Sequence, residues 1–167
     1  MTTHFQHLPK IAVLVLLLTS SLLMAQPVPQ TPPLAKTTTH ASAYPVAPAA
    51  GLYQALGEQA GIRTLMDDFV RRLKADARIG EQFKDTNLGN LAGQLTDQVC
   101  QLAGGPCRYQ GPDMKEVHAG MNITRANFNA LVEVLQQAMN TQGLAFTRQN
   151  QLLALLAPMH RDVVTTP

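Results

Sequence analysis

Between Gly104 and Thr124 the chain reads GGPCRYQGPDMKEVHAGMNIT, and this stretch gathers a thiol, a thioether and an imidazole within twelve residues. If its second half is helical, Met114, Val117 and His118 are three and four residues apart and share a face of two apolar side chains and one imidazole. Two readings fit that face. It could pack against a flat apolar ligand while a ring nitrogen reaches a metal, or His118 could be a core histidine whose nitrogens are satisfied by backbone groups. Zinc fits poorly, because from Gly51 onward the only His and Cys residues are His118, His160, Cys100 and Cys107, without the paired short spacings of structural zinc. A lone histidine on an apolar face suits haem better, since one proximal imidazole can hold haem iron.

The elements that must position this face are helical. Ile62, Leu65, Met66, Phe69, Val70 and Leu73 recur at three- and four-residue steps, as do Leu88, Leu91, Leu95, Val99 and Leu102. A short segment starts at Pro112 or Asp113 and ends at Gly120. Thr124 is placed to cap a further helix carrying Phe128, Leu131, Leu135 and Met139. A last helix begins near Thr147, runs through Leu152, Leu153, Leu155, Leu156 and Val163, and should kink at Pro158, which has no amide to donate. His160 follows that proline, far along the chain from Met114 and Val117. No strand signal or internal repeat is present, so an all-α fold is expected.

Two segments precede this domain. Residues 1–25, MTTHFQHLPKIAVLVLLLTSSLLMA, have a polar head with Lys10 and an apolar run from Ile11, the layout of a secretory signal. Ala25 suits the position before a cleavage site, while Leu23 is larger than usual there, so an uncleaved membrane anchor is the alternative. Residues 26–50 hold six prolines with Thr and Ala and no apolar period, as expected of a disordered tether in which His40 is an ordinary polar residue. The domain, 51–167, carries 11 Lys and Arg against 11 Asp and Glu. Arg71, Arg72 and Lys74 are balanced by Asp67, Asp68 and Asp76, so no basic stripe offers itself to nucleic acid.

The runs LYQALG, DDFVRRLKADARIGEQF, TNLGNL, GGPCRYQG, MKEVHAGMNIT and LLALLAPMHRDVV, in this order and spacing, resemble a truncated haemoglobin of the first group. The resemblance covers nearly all of the chain from Gly51 to Val164. It implies a two-over-two helical sandwich around haem b, with His118 as the proximal iron ligand. Phe83 matches the phenylalanine that packs on the haem, and Tyr109, Met114, Val117, Phe128 and Leu131 match positions that line the pocket. Gly104 and Gly105 match the glycine pair between distal helix and proximal loop. Of the family's earlier pair only Gly57 is present, followed by Glu58.

The distal side departs from the family's pattern. Many members follow the phenylalanine of the second helix with a tyrosine that donates to the bound gas, whereas here Phe69 is followed by Val70. Leu91 and Leu95 stand where polar side chains are frequent. Gln94 falls where some relatives carry a distal histidine, and it either donates to the ligand or turns to solvent. Cys100 and Cys107, seven residues apart across the glycine turn, could be bridged in an oxidising compartment, pinning the distal helix to the loop, or could be buried free thiols. Tyr109 wedges at the pocket edge. Asn122-Ile123-Thr124 fits a glycosylation sequon, but capping is the more economical use of Thr124. In some relatives a histidine near the end of the last helix bonds to a haem vinyl group, and His160 lies close to that position.

The expected function is reversible binding of a diatomic gas, oxygen, nitric oxide or carbon monoxide, at a His-ligated haem iron in an exported protein, periplasmic or anchored facing the periplasm. The alternatives are a nitric oxide dioxygenase or weak peroxidase supplied by an unknown reductase, and a haem-free helical interaction module.

Overall fold

The structure is a computed structural model that describes residues 46–166, which fall within one compact unit. The signal-like segment 1–25 and the linker up to residue 45 lie outside the described residues. The described residues form helices and turns without a strand: α1 (Leu52–Ala55), α2 (Glu58–Ala75), α3 (Leu88–Leu102), α4 (Met114–Val117), α5 (Arg125–Thr141), α6 (Phe146–Leu156) and α7 (His160–Val163). Short 3-10 turns occupy Gly80–Phe83 and Ala157–Met159. None of these helices is long and apolar enough to cross a membrane.

The amphipathic periods set the packing. The α2 stripe of Ile62, Leu65, Met66, Phe69, Val70 and Leu73 is wholly buried. It packs on α3 through Ala92, Val99 and Cys100 and on α5 through Ala130, Val134, Leu135, Ala138 and Met139, with Leu152 and Leu155 of α6 completing the same core. α2 thus packs on both α3 and α5, with α6 joining the same core, in the expected two-over-two arrangement. The α5–α6 corner is held by Gln149, a buried amide whose Nε2 donates to Asn140 Oδ1 at 2.8 Å and to the Leu144 carbonyl at 2.8 Å. Gln142 Nε2 donates to the Gly61 carbonyl at 2.9 Å and ties the end of α5 to α2.

Several local expectations meet a physical outcome. Thr124 accepts from Asn127 N at 3.1 Å while Asn127 Oδ1 accepts from Thr124 N at 3.0 Å, a reciprocal cap that commits the sequon's hydroxyl to α5. Pro158 does more than kink the last helix. α6 stops at Leu156, a 3-10 turn follows, and α7 restarts at His160. At the first turn Gly57 has φ +79°, and Glu58, which stands where the family has glycine, keeps a left-handed φ of +57°, so the turn survives with a side chain in a region costly for non-glycine residues. Residues 46–50, the end of the stretch assigned to the linker, already touch the domain: Ala49 O accepts from Leu52 N at 3.1 Å, and Pro48 lies beside Gly104.

Candidate functional site

α4 is a single turn, so its position depends on its ends. Asp113 caps it, accepting from Glu116 N at 2.7 Å. The loop before it is fastened to α3 by Tyr109 N, which donates to Gln101 Oε1 at 2.8 Å, and by a Cys100–Cys107 disulfide with a Cα–Cα separation of 5.7 Å. Gly104 takes a left-handed φ of +86° to start the turn. Gly105 fills a different role: a Cβ there would lie 2.5 Å from the Tyr53 ring and 2.6 Å from Cys100 Sγ, so only glycine passes between them. Tyr109 is half-buried and its hydroxyl donates to Pro112 O at 2.9 Å. Burial, and after it the Asp113 carboxylate, push its phenol above the ordinary value. It thus braces the turn into α4.

His118 stands at the C-terminal end of α4, half-buried, with Nδ1 2.7 Å from the main-chain oxygen of Met114. A carbonyl only accepts, so Nδ1 carries the proton. In the neutral ring that leaves Nε2 as the nitrogen with a free lone pair, which is how a metal-binding imidazole is oriented by its backbone. Beyond His118, Met121 N donates to its carbonyl at 3.2 Å, and Ile123 is clamped by the chain's end: Thr165 N and Thr166 N donate to Ile123 O at 2.9 and 3.0 Å, and Ile123 N donates to Thr165 Oγ1 at 2.9 Å.

The expected site residues divide into groups. Phe69 and Val70 are buried in the main core, and neither offers a hydrogen-bond donor from its side chain. Phe83, Leu91, Leu95 and Leu131 are half-buried on the edge of that core. Met114 and Phe128 belong to a second, smaller cluster with Ile123, Met159 and Val163. Gln94 is half-buried. Val117 does not join either cluster and is 44% exposed beside His118, as is Met121.

His160, far along the chain from Met114, is close to α4 in space. α7 packs on α4, and the His160 ring lies edge-on to Phe128 with centroids 4.8 Å apart, so the second domain histidine belongs to the His118 side of the molecule.

Gln98, absent from the expected site residues, also reaches α4. It is buried, and its Nε2 donates to Met114 Sδ at 3.5 Å. The signal was present: Leu91, Leu95, Gln98 and Leu102 are spaced four, three and four residues apart, so Gln98 is a polar residue on an apolar stripe. The far end of that stripe meets α4.

These residues fit haem. One imidazole is oriented through Nδ1 with Nε2 left to bind, and half-buried apolar side chains stand on α3, α5 and the Gly80–Phe83 turn, a set that suits one ligating nitrogen and a large apolar ring. Among the described residues no three His, Cys, Asp or Glu side chains converge to hold a bare metal ion. Two open surface hollows of about 690 and 390 Å³ lie elsewhere, the larger beside Tyr53, Glu58, Arg63 and Asp97, and neither includes His118.

Comparison with known proteins shows the family and the fold. The family model described as bacterial-like globin matches residues 51–165. A group 1 truncated hemoglobin of Tetrahymena thermophila is 34% identical over 94 residues, 56% of this chain and 78% of that protein. A second, from Tetrahymena pyriformis, is 28% identical over 113 residues, 68% of this chain and 93% of its own length. The crystal structure of the T. pyriformis truncated hemoglobin in its Fe(III) form superposes with a TM-score of 0.65 over 68% of this chain and 97% of that one. A Synechococcus 2/2 hemoglobin with covalently attached heme, 21% identical, shares the fold with a TM-score of 0.64 over 68% of this chain and 97% of that one.

Proposed function

The chain belongs to the bacterial-like globin family, and on that footing we propose that it binds haem b through His118 Nε2 and reversibly holds a diatomic gas. Haem, when bound, would supply the iron that His118 holds and the gas binds. The observation that carries the reading is the 2.7 Å contact of His118 Nδ1 with Met114 O, which fixes the tautomer an iron ligand needs. Phe83, Leu91, Leu95, Phe128 and Leu131 exclude water from an apolar ring, and Met114 and Val117 flank the imidazole. On the gas side Val70, Leu91 and Leu95 have no donor to offer, which leaves the Gln94 amide as the side chain able to donate.

An apolar distal face favours gases that gain little from a donor, carbon monoxide and nitric oxide, over oxygen, which gains more. Keeping the iron reduced requires an electron donor, so an unidentified reductase is part of the proposal. The signal-like pattern of residues 1–25 supports export, with the tether to the membrane kept if that segment is not cleaved.

The test is spectroscopic. The purified chain should take up haem and show a Soret band. His118→Gly should lose stable haem and regain it with added imidazole. A chain without haem uptake would instead be a helical interaction module, and a His118→Gly variant with full haem and an unchanged spectrum would refute the ligand assignment.

A further inference from the structure

Three polar side chains are buried among the described residues: Thr96, Gln98 and Gln149. Thr96 satisfies its hydroxyl within its own helix, donating to Ala92 O at 2.6 Å, and Gln149 serves the α5–α6 corner with two oxygen acceptors. Gln98 is different. Its amide leaves α3 and donates to a thioether, which is a weak acceptor, at 3.5 Å. Stability alone does not account for a glutamine there, because the stripe it interrupts is otherwise leucine and an apolar side chain would be buried at less cost.

The thioether belongs to Met114, the first residue of α4, and the carbonyl of the same residue accepts from His118 Nδ1. A helix of four residues cannot hold its own geometry, and methionine is among the most adaptable side chains. Whatever immobilises Met114 therefore sets where its carbonyl points, and with it the imidazole. We propose that Gln98 is a positioning residue: from the distal helix it fixes Met114, and through the Met114 carbonyl it holds the tautomer and ring orientation of His118. This rests on the haem reading above, and it makes the helix on the gas side a participant in the basicity of the ligand on the opposite side.

The test uses the full chain and the variants Gln98→Leu, Met114→Leu and the double variant, with circular dichroism to establish folding. Met114→Leu removes only the sulfur acceptor, so it carries the test should Gln98→Leu fail to fold. In haem-free protein, nitrogen-detected NMR of His118 should show a smaller Nδ1–H fraction in each single variant. In haem-loaded protein, the iron–histidine stretching band should shift and haem loss to an acceptor globin should quicken by about threefold, the effect of one modest hydrogen bond. The double variant should be no worse than either single one, since both remove the same contact. An unchanged His118 tautomer and stretching band, or rate effects that simply multiply, would overturn the proposal. If the parent chain took up no haem, the haem reading would fall, and the NMR result by itself would decide for or against the positioning role.

Discussion

The Cys100–Cys107 bond offers the most quantitative prediction. It closes a ring with a sequence separation of seven, from the buried end of α3 to the half-buried loop before Tyr109. Cross-linking removes freedom from the unfolded chain, and a ring of this size is worth ~2.5 kcal/mol at 25 °C in the chain-entropy treatment. Domains of this kind have total stabilities of roughly 5–15 kcal/mol, so the bond should be a substantial fraction of the whole. Reduction should not remodel the turn, because Gly105 N still donates to Cys100 O at 2.8 Å, Gly104 N to Gln101 O at 3.2 Å and Tyr109 N to Gln101 Oε1 at 2.8 Å. Those contacts exist only in the folded state and do nothing to restrict the unfolded one. The expected outcome is thus a helical spectrum that dithiothreitol leaves unchanged, with a thermal midpoint lower by roughly 8–15 °C for a domain of this size. Cys107→Ala should show the lowered midpoint without reductant and no further response to it. A midpoint that moves by less than ~2 °C on reduction would refute the reasoning, since a cross-link of this ring size cannot be nearly neutral unless the unfolded chain already holds the turn.

On the gas side, Val70→Tyr should slow oxygen release by roughly tenfold to a hundredfold by adding a donor, and Gln94→Leu should hasten it by about tenfold, both read by stopped-flow; unchanged rates in both would mean that neither side chain reaches the ligand. Because Val70 is buried, the tyrosine should also cost ~1–3 kcal/mol of stability, visible in urea unfolding. Acid-acetone extraction should remove haem completely, since the His160 ring is engaged edge-on with Phe128, and haem that stays with the protein would reveal a covalent bond. Finally, hydrogen bonds from the Arg78 side chain and backbone hold the Asp76 carboxyl down to about 2. Its folded value lies below the unfolded one, so the contribution is complete above pH ~4 and is lost as pH falls through about 2; an NMR titration should find that value, and an ordinary carboxylate value would refute the pairing.

Helices long enough to repeat a period were legible from the sequence. α2, α3 and α5 each present four or more apolar residues at helical steps, and the cap at Thr124 follows from side-chain chemistry within three residues of the backbone group it satisfies, whereas the start of α4 was legible only to within Pro112 or Asp113. α1 and the Gly80–Phe83 turn have four residues each, too few for a period, and they are ordered by packing against α2. The last helix was legible as apolar pattern but not as three pieces, because periodicity does not register where Pro158 stops the hydrogen-bond ladder. Haem itself was not read from spacing. Residue spacing left His118 open between ligand and core histidine, and only the resemblance to truncated haemoglobins favoured the first. Gln98 was missed because a period is read from the apolar residues that fit it, whereas the informative residue was the polar one occupying an apolar position.

The approach of α7 to α4 had no local signal, and it bears on how the site behaves. Ile123, Met159 and Val163 form a cluster separate from the main core, with Leu102, Met114, Phe128 and Leu156 packed against it. Three elements near His118 meet there: α4 through Met114, the loop after it through Ile123, and α3 through Leu102; Gln98 donates to Met114, and Thr165 accepts from Ile123 N. A cluster this small contributes little to global stability compared with the core built on α2, yet it decides where the imidazole sits. Local opening draws on the free energy of the local contacts and not on that of the whole domain. The histidine side can therefore loosen while the helical sandwich stays folded, so under the proposed ligation retention of haem and resistance to unfolding would be set by different residues of the same chain.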